Sequence, residues 1–210
     1  PNSADICDLG SVEAVRIPWY LENSRPDYFC WNDELASDEK QLCIKYSFVI
    51  TIPAKVFQTI MVRLNEHVAH RQDWKNGVYG RKGEPSQILI ELLGEFKFTE
   101  VMLQIRSRNL HEIWIFGKPV LDMIKGVLEQ WNGLIYTRWI LCPVCIKRDI
   151  CNPTQFDDSY LDNPTAVSRD EGWRHCNTRK HKEPVPIEDI YPSLAGMFTI
   201  FCEKNNCSVN

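Results

Sequence analysis

The sequence has no apolar run long enough to cross a membrane, because charged residues interrupt every long stretch well before about 20 residues. It also has no excess of positive charge: 24 lysines and arginines stand against 28 aspartates and glutamates, which gives a net charge of −4. These two deficits argue against a membrane-spanning protein and make nucleic acid a poor default partner.

Motifs for nucleotide chemistry and metal-dependent hydrolysis are missing as well. The chain contains no GxxxxGK[ST] P-loop and no set of Mg²⁺ ligands, so GTP hydrolysis is not expected within it. His67 and His70 share a predicted helix but form no HExxH pattern, and we interpret them as packed or surface histidines. We therefore expect no enzyme in this chain, with no catalytic or cofactor-binding residues.

The chain shows no sign of secretion. No targeting segment is visible at its start, and its proline first residue and abrupt ends suggest a piece of a longer protein. Nine cysteines are an odd number and too sparse for a disulfide scaffold in a chain of 210 residues. We expect a cytoplasmic location and one globular domain with an appendage.

A strand followed by a helix forms the centre of the predicted fold. Apolar residues first alternate, as in a strand with one buried face: Ile44, Tyr46, Phe48 and Ile50. Thr51 is the expected N-cap of the helix, and Pro53 fits its first turn. Apolar residues then recur every three or four positions: Val56, Phe57, Ile60, Met61, Leu64 and Val68. This spacing predicts about four helical turns that end near Arg71.

The residues that follow predict the rest of a sheet and a second helix. Three strands over residues 77–81, 86–93 and 100–107 form an antiparallel meander. The second helix is expected to begin at Pro119 and to end at Gly133, and a last strand covers residues 134–141. The sequence therefore predicts an α+β fold: a mixed, mainly antiparallel sheet with two helices packed on one face.

Short motifs in this region also follow a familiar order. They are Ile17-Pro18-Trp19-Tyr20-Leu21, Tyr46-x-Phe48, Ile52-Pro53 with Phe57, Val62-Arg63-Leu64, and Trp74 with Gly77-Val78. Over most of residues 15–192 this order resembles COR-B, the C-terminal half of the COR domain of Roco proteins. The resemblance implies a non-catalytic dimerisation and regulatory domain. It would couple an upstream Roc GTPase of the same protein to dimer state and to other signalling proteins.

A cysteine pair after the last predicted strand indicates a metal site. Cys142 and Cys145 form a Cys-x-x-Cys knuckle, and Cys176 and His181 follow about thirty residues later with four residues between them. Two thiolates and such a pair together make a tetrahedral structural zinc site with no open position for catalysis. The predicted ligands are Cys142, Cys145, Cys176 and His181. Cys151 and His175 compete for the fourth place.

With the predicted zinc-binding region, the sequence divides into four segments. Residues 1–41 are a packing segment, 42–141 the body, 142–192 an irregular zinc-binding lobe, and 193–210 a tail. The resemblance to Roco proteins with a C-terminal extension makes this lobe zinc-ribbon-like.

Other functions for the cysteines stay open. One alternative to zinc is that the thiols are free or buried, and another is that they form a disulfide or a redox pair. The sequence supports the redox role less than the zinc site, because no helix is evident after the Cys-x-x-Cys. A stand-alone zinc-stabilised adaptor for protein partners is one alternative function. A thiol-dependent enzyme, for example with Cys151 and His175, is another.

Overall fold

The computed structural model describes residues 21–22, 24–26, 31–32, 34–83, 85–94, 99–162, 172–178 and 183–195. Within them one sheet contains β1 (Lys40–Phe48), β2 (His70–Trp74), β3 (Gly77–Arg81), β4 (Gln87–Leu93), β5 (Thr99–Ser107), β6 (Tyr136–Leu141) and β7 (Gln155–Asp157). Their order across the sheet is β2-β3-β4-β5-β1-β6-β7, and each described pair of neighbours is antiparallel.

Two long helices connect these strands, α1 (Ala54–Leu64) and α2 (Leu110–Glu129). The shorter elements are α3 (Pro143–Lys147), α4 (Ser159–Asp162), α5 (Ile187–Ile190) and a 3₁₀ turn at Pro192–Leu194. A separate hairpin pairs β8 (Trp173–His175) with β9 (Pro184–Pro186). The predicted α+β fold with a mainly antiparallel sheet is confirmed. No helix in the described part of the chain has the length and apolar character that a membrane span requires.

One face of the sheet carries the main core. The inward residues of β1 and β5 join the buried stripes of α1 and α2 in a single apolar cluster. From β1 and β5 these residues are Leu42, Ile44, Tyr46, Phe48, Val101, Leu103 and Ile105. Successive side chains of a strand point to opposite faces, so the even positions of β1 and the odd positions of β5 make one apolar surface. Both long helices cover this surface, which hides it from water.

The predicted start and end of α1 are wrong. The helix ends at Leu64, because residues 65–67 form a turn and the chain doubles back as edge strand β2. Arg71, in β2, donates to the carbonyl of Met61 at 3.0 Å, which ties the returning strand to the helix. The N-cap position is occupied by Pro53 and not by the predicted Thr51.

The predicted start of α2 is also wrong. Asn109 caps the helix through its side-chain oxygen, which accepts the backbone N–H of Glu112 at 2.8 Å. Pro119 therefore lies inside α2 and not in its first turn. A proline there removes one backbone hydrogen bond, but Phe116 before it and Val120 after it are both buried. Their packing holds the helix together across the proline.

Strand β6 is shorter than predicted, and it is not the last strand of the sheet. It begins at Tyr136, and β7 from the irregular region pairs with it through Ile140 and Phe156. Ile187, Ile190 and Leu194 also join the main core. Several described residues of the segment 142–194 are thus part of the same core as the body. The division of this segment from the body at residue 142 stays a prediction.

A matched pair of substitutions tests the core. Ile44→Ala removes a fully buried side chain from the central strand and should lower the free energy of unfolding by about 2–5 kcal/mol. Ile115→Ala, at a helix position that is 58% exposed, should change it by less than about 0.5 kcal/mol. Urea denaturation of both variants measures the difference. Equal effects would contradict the assignment of the core face.

Candidate metal centre

Two of the predicted ligands are placed by the end of β6. Cys142 follows that strand and is the N-cap of α3, and Cys145 lies inside this helix. The backbone N–H of Cys142 donates to the carbonyl of Thr154 at 2.9 Å, which fixes the knuckle to the chain that enters β7. The sequence interpretation that no helix follows the Cys-x-x-Cys is therefore wrong, since α3 begins directly after Cys142.

The third predicted ligand arrives from a distant part of the chain. Cys176 directly follows β8, and the Gly172 carbonyl just before that strand accepts the backbone N–H of Ile187 at 3.0 Å. The hairpin so placed brings the Cys176 sulfur to 3.3 Å from that of Cys145. The sulfur atoms of Cys142, Cys145 and Cys176 all lie within 4.8 Å of one another, and all three residues are buried.

These distances suit a shared metal ion better than a covalent bond. Two thiolates on one tetrahedral zinc stand about 3.8 Å apart, since each Zn–S bond is about 2.3 Å. A disulfide requires about 2.05 Å between its sulfurs. The 3.3 Å between Cys145 and Cys176 is nearer to the first value.

Two threonine hydroxyls surround Cys176. Its sulfur lies 2.9 Å from Thr154 Oγ1 and 3.5 Å from Thr178 Oγ1. Thr154 Oγ1 also accepts the backbone N–H of Asn177 at 3.2 Å, which leaves its own proton available to the sulfur. Neither threonine stood out in the sequence, because threonine is common and Thr154 reaches the site only through the pairing of β7 with β6.

The thiols differ in acidity. Burial raises the pKa of the Cys142 thiol to about 12, and the neighbouring sulfurs of Cys145 and Cys176 add to the rise. Burial also opposes the charged form of Cys176, but hydrogen bonds from Thr154 and Thr178 outweigh it and hold the pKa of that thiol at about 7. A redox motif needs its first cysteine to be the acidic one. The pKa of Cys142, the first cysteine of this motif, is instead raised.

The fourth ligand is not settled by the geometry. His181 lies outside the described residues. Its two competitors, Cys151 and His175, are both exposed and stand apart from the three-sulfur cluster. Zinc itself and the fourth ligand stay predictions.

The remaining described cysteine belongs to another part of the fold. Cys43 is buried in β1, and the side-chain amide of Gln41 lies 2.8 Å from its sulfur. Burial raises the pKa of this thiol to about 11. It is a packed thiol and contributes nothing to the metal centre.

A comparison with known families decides the identity. The model of the family described as "C-terminal of Roc, COR-B domain" matches residues 39–193. The chain belongs to the COR-B family. The match begins one residue before β1, ends within the 3₁₀ turn and includes the three clustered cysteines. The predicted resemblance to the COR domain of Roco proteins is confirmed.

Relatives of this COR-B domain are much longer proteins. Malignant fibrous histiocytoma-amplified sequence 1 from Homo sapiens is 29% identical over 206 residues, 93% of this chain and 19% of the relative. Its Xenopus tropicalis homolog is 27% identical over 200 residues, 90% of this chain and 20% of the relative. The probable serine/threonine-protein kinase roco7 from Dictyostelium discoideum is 23% identical over 169 residues, 74% of this chain and 6% of the relative. The chain spans about a fifth of the first two relatives.

Native alkylation tests which cysteines are accessible. At pH 7 the Cys43 thiol is buried and its raised pKa keeps it protonated, so a short exposure to iodoacetamide should leave it unmodified. The exposed Cys151 should be modified within the same time. Peptide mass spectrometry before and after denaturation quantifies both. Equal modification of the two cysteines in the native protein would contradict the burial of Cys43.

Proposed function

We propose that this COR-B domain is a non-catalytic dimerisation and regulatory scaffold in the cytoplasm. It couples a Roc GTPase upstream in the same protein to dimer state and signalling. The observation that carries the proposal is the match of residues 39–193 to a domain described as C-terminal of Roc. GTP hydrolysis would take place in the Roc domain, because this chain contains no P-loop.

A physical route for such coupling exists on the outer face of the sheet, opposite α1 and α2. Described residues 22, 24–26 and 31–32, which precede β1 and bind the sheet through Glu22, Arg25 and Trp31, are called the strap. In the sequence the strap lies between the proposed upstream Roc domain and β1. A conformational change in Roc would therefore reach the sheet through the contacts of the strap.

An ion pair holds one end of the strap. The guanidinium of Arg25 donates two hydrogen bonds to the carboxylate of Glu91 in β4, at 2.8 and 2.6 Å. Glu91 is mostly buried, and a two-bond arginine–carboxylate pair fixes orientation as well as distance. The carbonyl of Glu22 accepts the backbone N–H of Lys75 at 2.7 Å, in the turn between β2 and β3.

An aromatic anchor holds the other end. Trp31 is buried in a cluster with Trp74, Tyr79 and Leu89, and its ring meets that of Tyr79 edge to face at 6.3 Å. The guanidinium carbon of Arg106 lies 3.9 Å from the centre of the Trp31 ring. Arg106 also donates to the side chain of Gln41 at 2.6 Å and to the backbone carbonyl of Asn32. One buried cation thus connects the strap to β5 and β1.

Exposed apolar side chains support dimerisation through the body of this domain. Val49 and Ile135 are 64% and 63% exposed, and the N–H of Val49 donates to the carbonyl of Ile135 at 3.1 Å. Ile50 beside them is also exposed. These residues form an apolar surface at one end of the β1–β6 pair. We propose that a second copy of the chain covers it around a two-fold axis, so that the same residues meet on both sides.

Oligomeric state, response to nucleotide, metal content and cysteine reactivity also distinguish the two alternative functions, the stand-alone adaptor and the thiol enzyme. An adaptor without a GTPase link predicts a monomer and no response to nucleotide. A thiol enzyme predicts one highly reactive cysteine in a chain free of metal. The lowered pKa of Cys176 fits that prediction, but equally fits a metal ligand, because metals bind the thiolate.

Ion-pair removal tests coupling through the strap. In a longer chain that includes the Roc domain, Glu91→Gln should bring the dimer dissociation constants of the GTP-analogue and GDP forms closer together. Coupling of this kind is ordinarily worth about 5- to 150-fold. The affinity of the monomer for nucleotide should not change, whereas in the dimer the ratio of the GTP-analogue and GDP affinities should shift by the same factor as the dimer dissociation constants. Analytical ultracentrifugation in both nucleotide states gives the two constants.

The matched control is Asp122→Asn, which removes an exposed ion pair with Lys118 on α2 by the same carboxylate-to-amide change. It should leave the nucleotide dependence intact. If Glu91→Gln keeps the full dependence, or if the two variants behave alike, the strap does not carry the coupling.

A charge placed on the apolar surface tests the dimer. Ile135→Asp should weaken self-association at least tenfold, because each copy would bury an unpaired carboxylate. Ile115→Asp, at a similarly exposed position on α2, is the control and should not. Light scattering over a concentration series measures both. A dimer that tolerates Ile135→Asp would contradict this surface, and a monomeric parent protein would contradict the scaffold.

A further inference from the structure

We propose that Cys142, Cys145 and Cys176 bind one zinc ion through their thiolates, as a structural site that fastens the β8–β9 hairpin to the end of β6. The site is independent of the regulatory function proposed above. Each can fail without the other.

The three sulfurs come together from two segments that are far apart in the sequence. Cys142 and Cys145 sit on one turn at the start of α3, whereas Cys176 is 31 residues beyond Cys145. All three are buried within 4.8 Å of one another. A single buried cysteine behaves as a small apolar residue and needs no partner. Three whose sulfurs converge form a group of soft ligands.

The surroundings of Cys176 favour a charged sulfur over a packed thiol. The hydroxyl of Thr154 lies 2.9 Å from the sulfur, and that of Thr178 lies 3.5 Å from it and 3.8 Å from the sulfur of Cys145. Hydroxyl donors around a thiolate are a common support for structural metal ligands. A thiol that only packed against apolar side chains would not be stabilised by these two hydroxyl groups.

The hairpin that carries Cys176 needs an anchor. Strands β8 and β9 pair over only three residues each, and Val185 is their one buried side chain in the main core, so few contacts hold a hairpin of a size that is marginal by itself. One sulfur–metal–sulfur bridge from Cys176 to Cys145 would connect it directly to α3, and through Cys142 to β6. The short described elements that follow β6 would then share one fixed point.

Zinc fits this ligand set best among common metals. Thiolates are soft ligands that select zinc, copper(I) or iron–sulfur clusters over magnesium and calcium. An iron–sulfur cluster ordinarily takes four cysteines, whereas a structural zinc site accepts a histidine as fourth ligand beside three cysteines such as those clustered here. Binding replaces the thiol protons by the metal, so protons are released and no oxidant or reductant is consumed.

The test is metal content of the full chain, purified without added metal and under reducing conditions. Elemental mass spectrometry should find about one zinc per chain in the wild type. Cys142→Ser and Cys176→Ser should each lose most of it. Cys151→Ser is the matched control because Cys151 lies in the same segment but outside the cluster, and it should keep the metal.

A second measurement covers variants that fail to fold. Cobalt(II) exchanged into the wild type should show a thiolate-to-metal charge-transfer absorption of the intensity expected for three sulfurs. Removal of the metal by a chelator should raise amide hydrogen exchange in residues 172–178 and at the end of β6. Exchange in the β1–β5 pair should stay unchanged.

Several results would overturn the site. They are a wild-type chain free of zinc with three reducible or freely alkylated thiols, full zinc content in Cys176→Ser, or a cobalt spectrum without thiolate absorption. None of these results bears on dimerisation or on nucleotide dependence, which are measured separately.

Discussion

The antiparallel pairing of β1 with β5, from Lys40↔Ser107 to Phe48↔Thr99, determines the arrangement of everything else. Because its register puts the apolar residues of both strands on the same face, one surface is left for α1 and α2 to cover. The same register places Arg106 opposite Gln41 on the other face, where the strap binds. A slip of one residue would exchange the two faces, so the core, the strap and the course of β6 all depend on it.

Strand β6 extends this constraint to the metal centre. It pairs with β1 over residues 136–140, and Cys142 and Cys145 follow at its end. The proposed zinc adds a long-range connection at a place where backbone pairing is sparse. Burial and pairing hold strands β1 to β6 and the two long helices, and ligand bonds would hold the hairpin of β8 and β9. The two proposals thus concern different parts of the same sheet. The strap binds its outer face, and the proposed ion lies beyond the end of β6.

Much of the sheet could be predicted from the sequence because its signals are local. Alternation in β1, β4 and β5 sets their faces, and cysteine spacing singled out three cysteines that the structure brings together. The errors arose where tertiary contacts outweighed local rules. Pro119 reads as a helix start, yet packing on both sides keeps it inside α2. The apolar spacing continues to Val68, past the end of α1, although the chain has already left the helix through the turn at residues 65–67. The sequence predicted a packing segment over residues 1–41 but not its partners on the sheet, since Arg25 and Glu91 are 66 residues apart.

Native mass spectrometry of the purified chain tests the central claim, that this is a dimerisation domain stabilised by zinc, in a single measurement. The account predicts a species of twice 24.5 kDa that carries two zinc ions and that separates into metal-bound monomers on dilution. A metal-free monomer at every concentration, with the chain folded, would contradict both parts of the account. A zinc-bound monomer would retain the metal centre and remove dimerisation of the isolated domain.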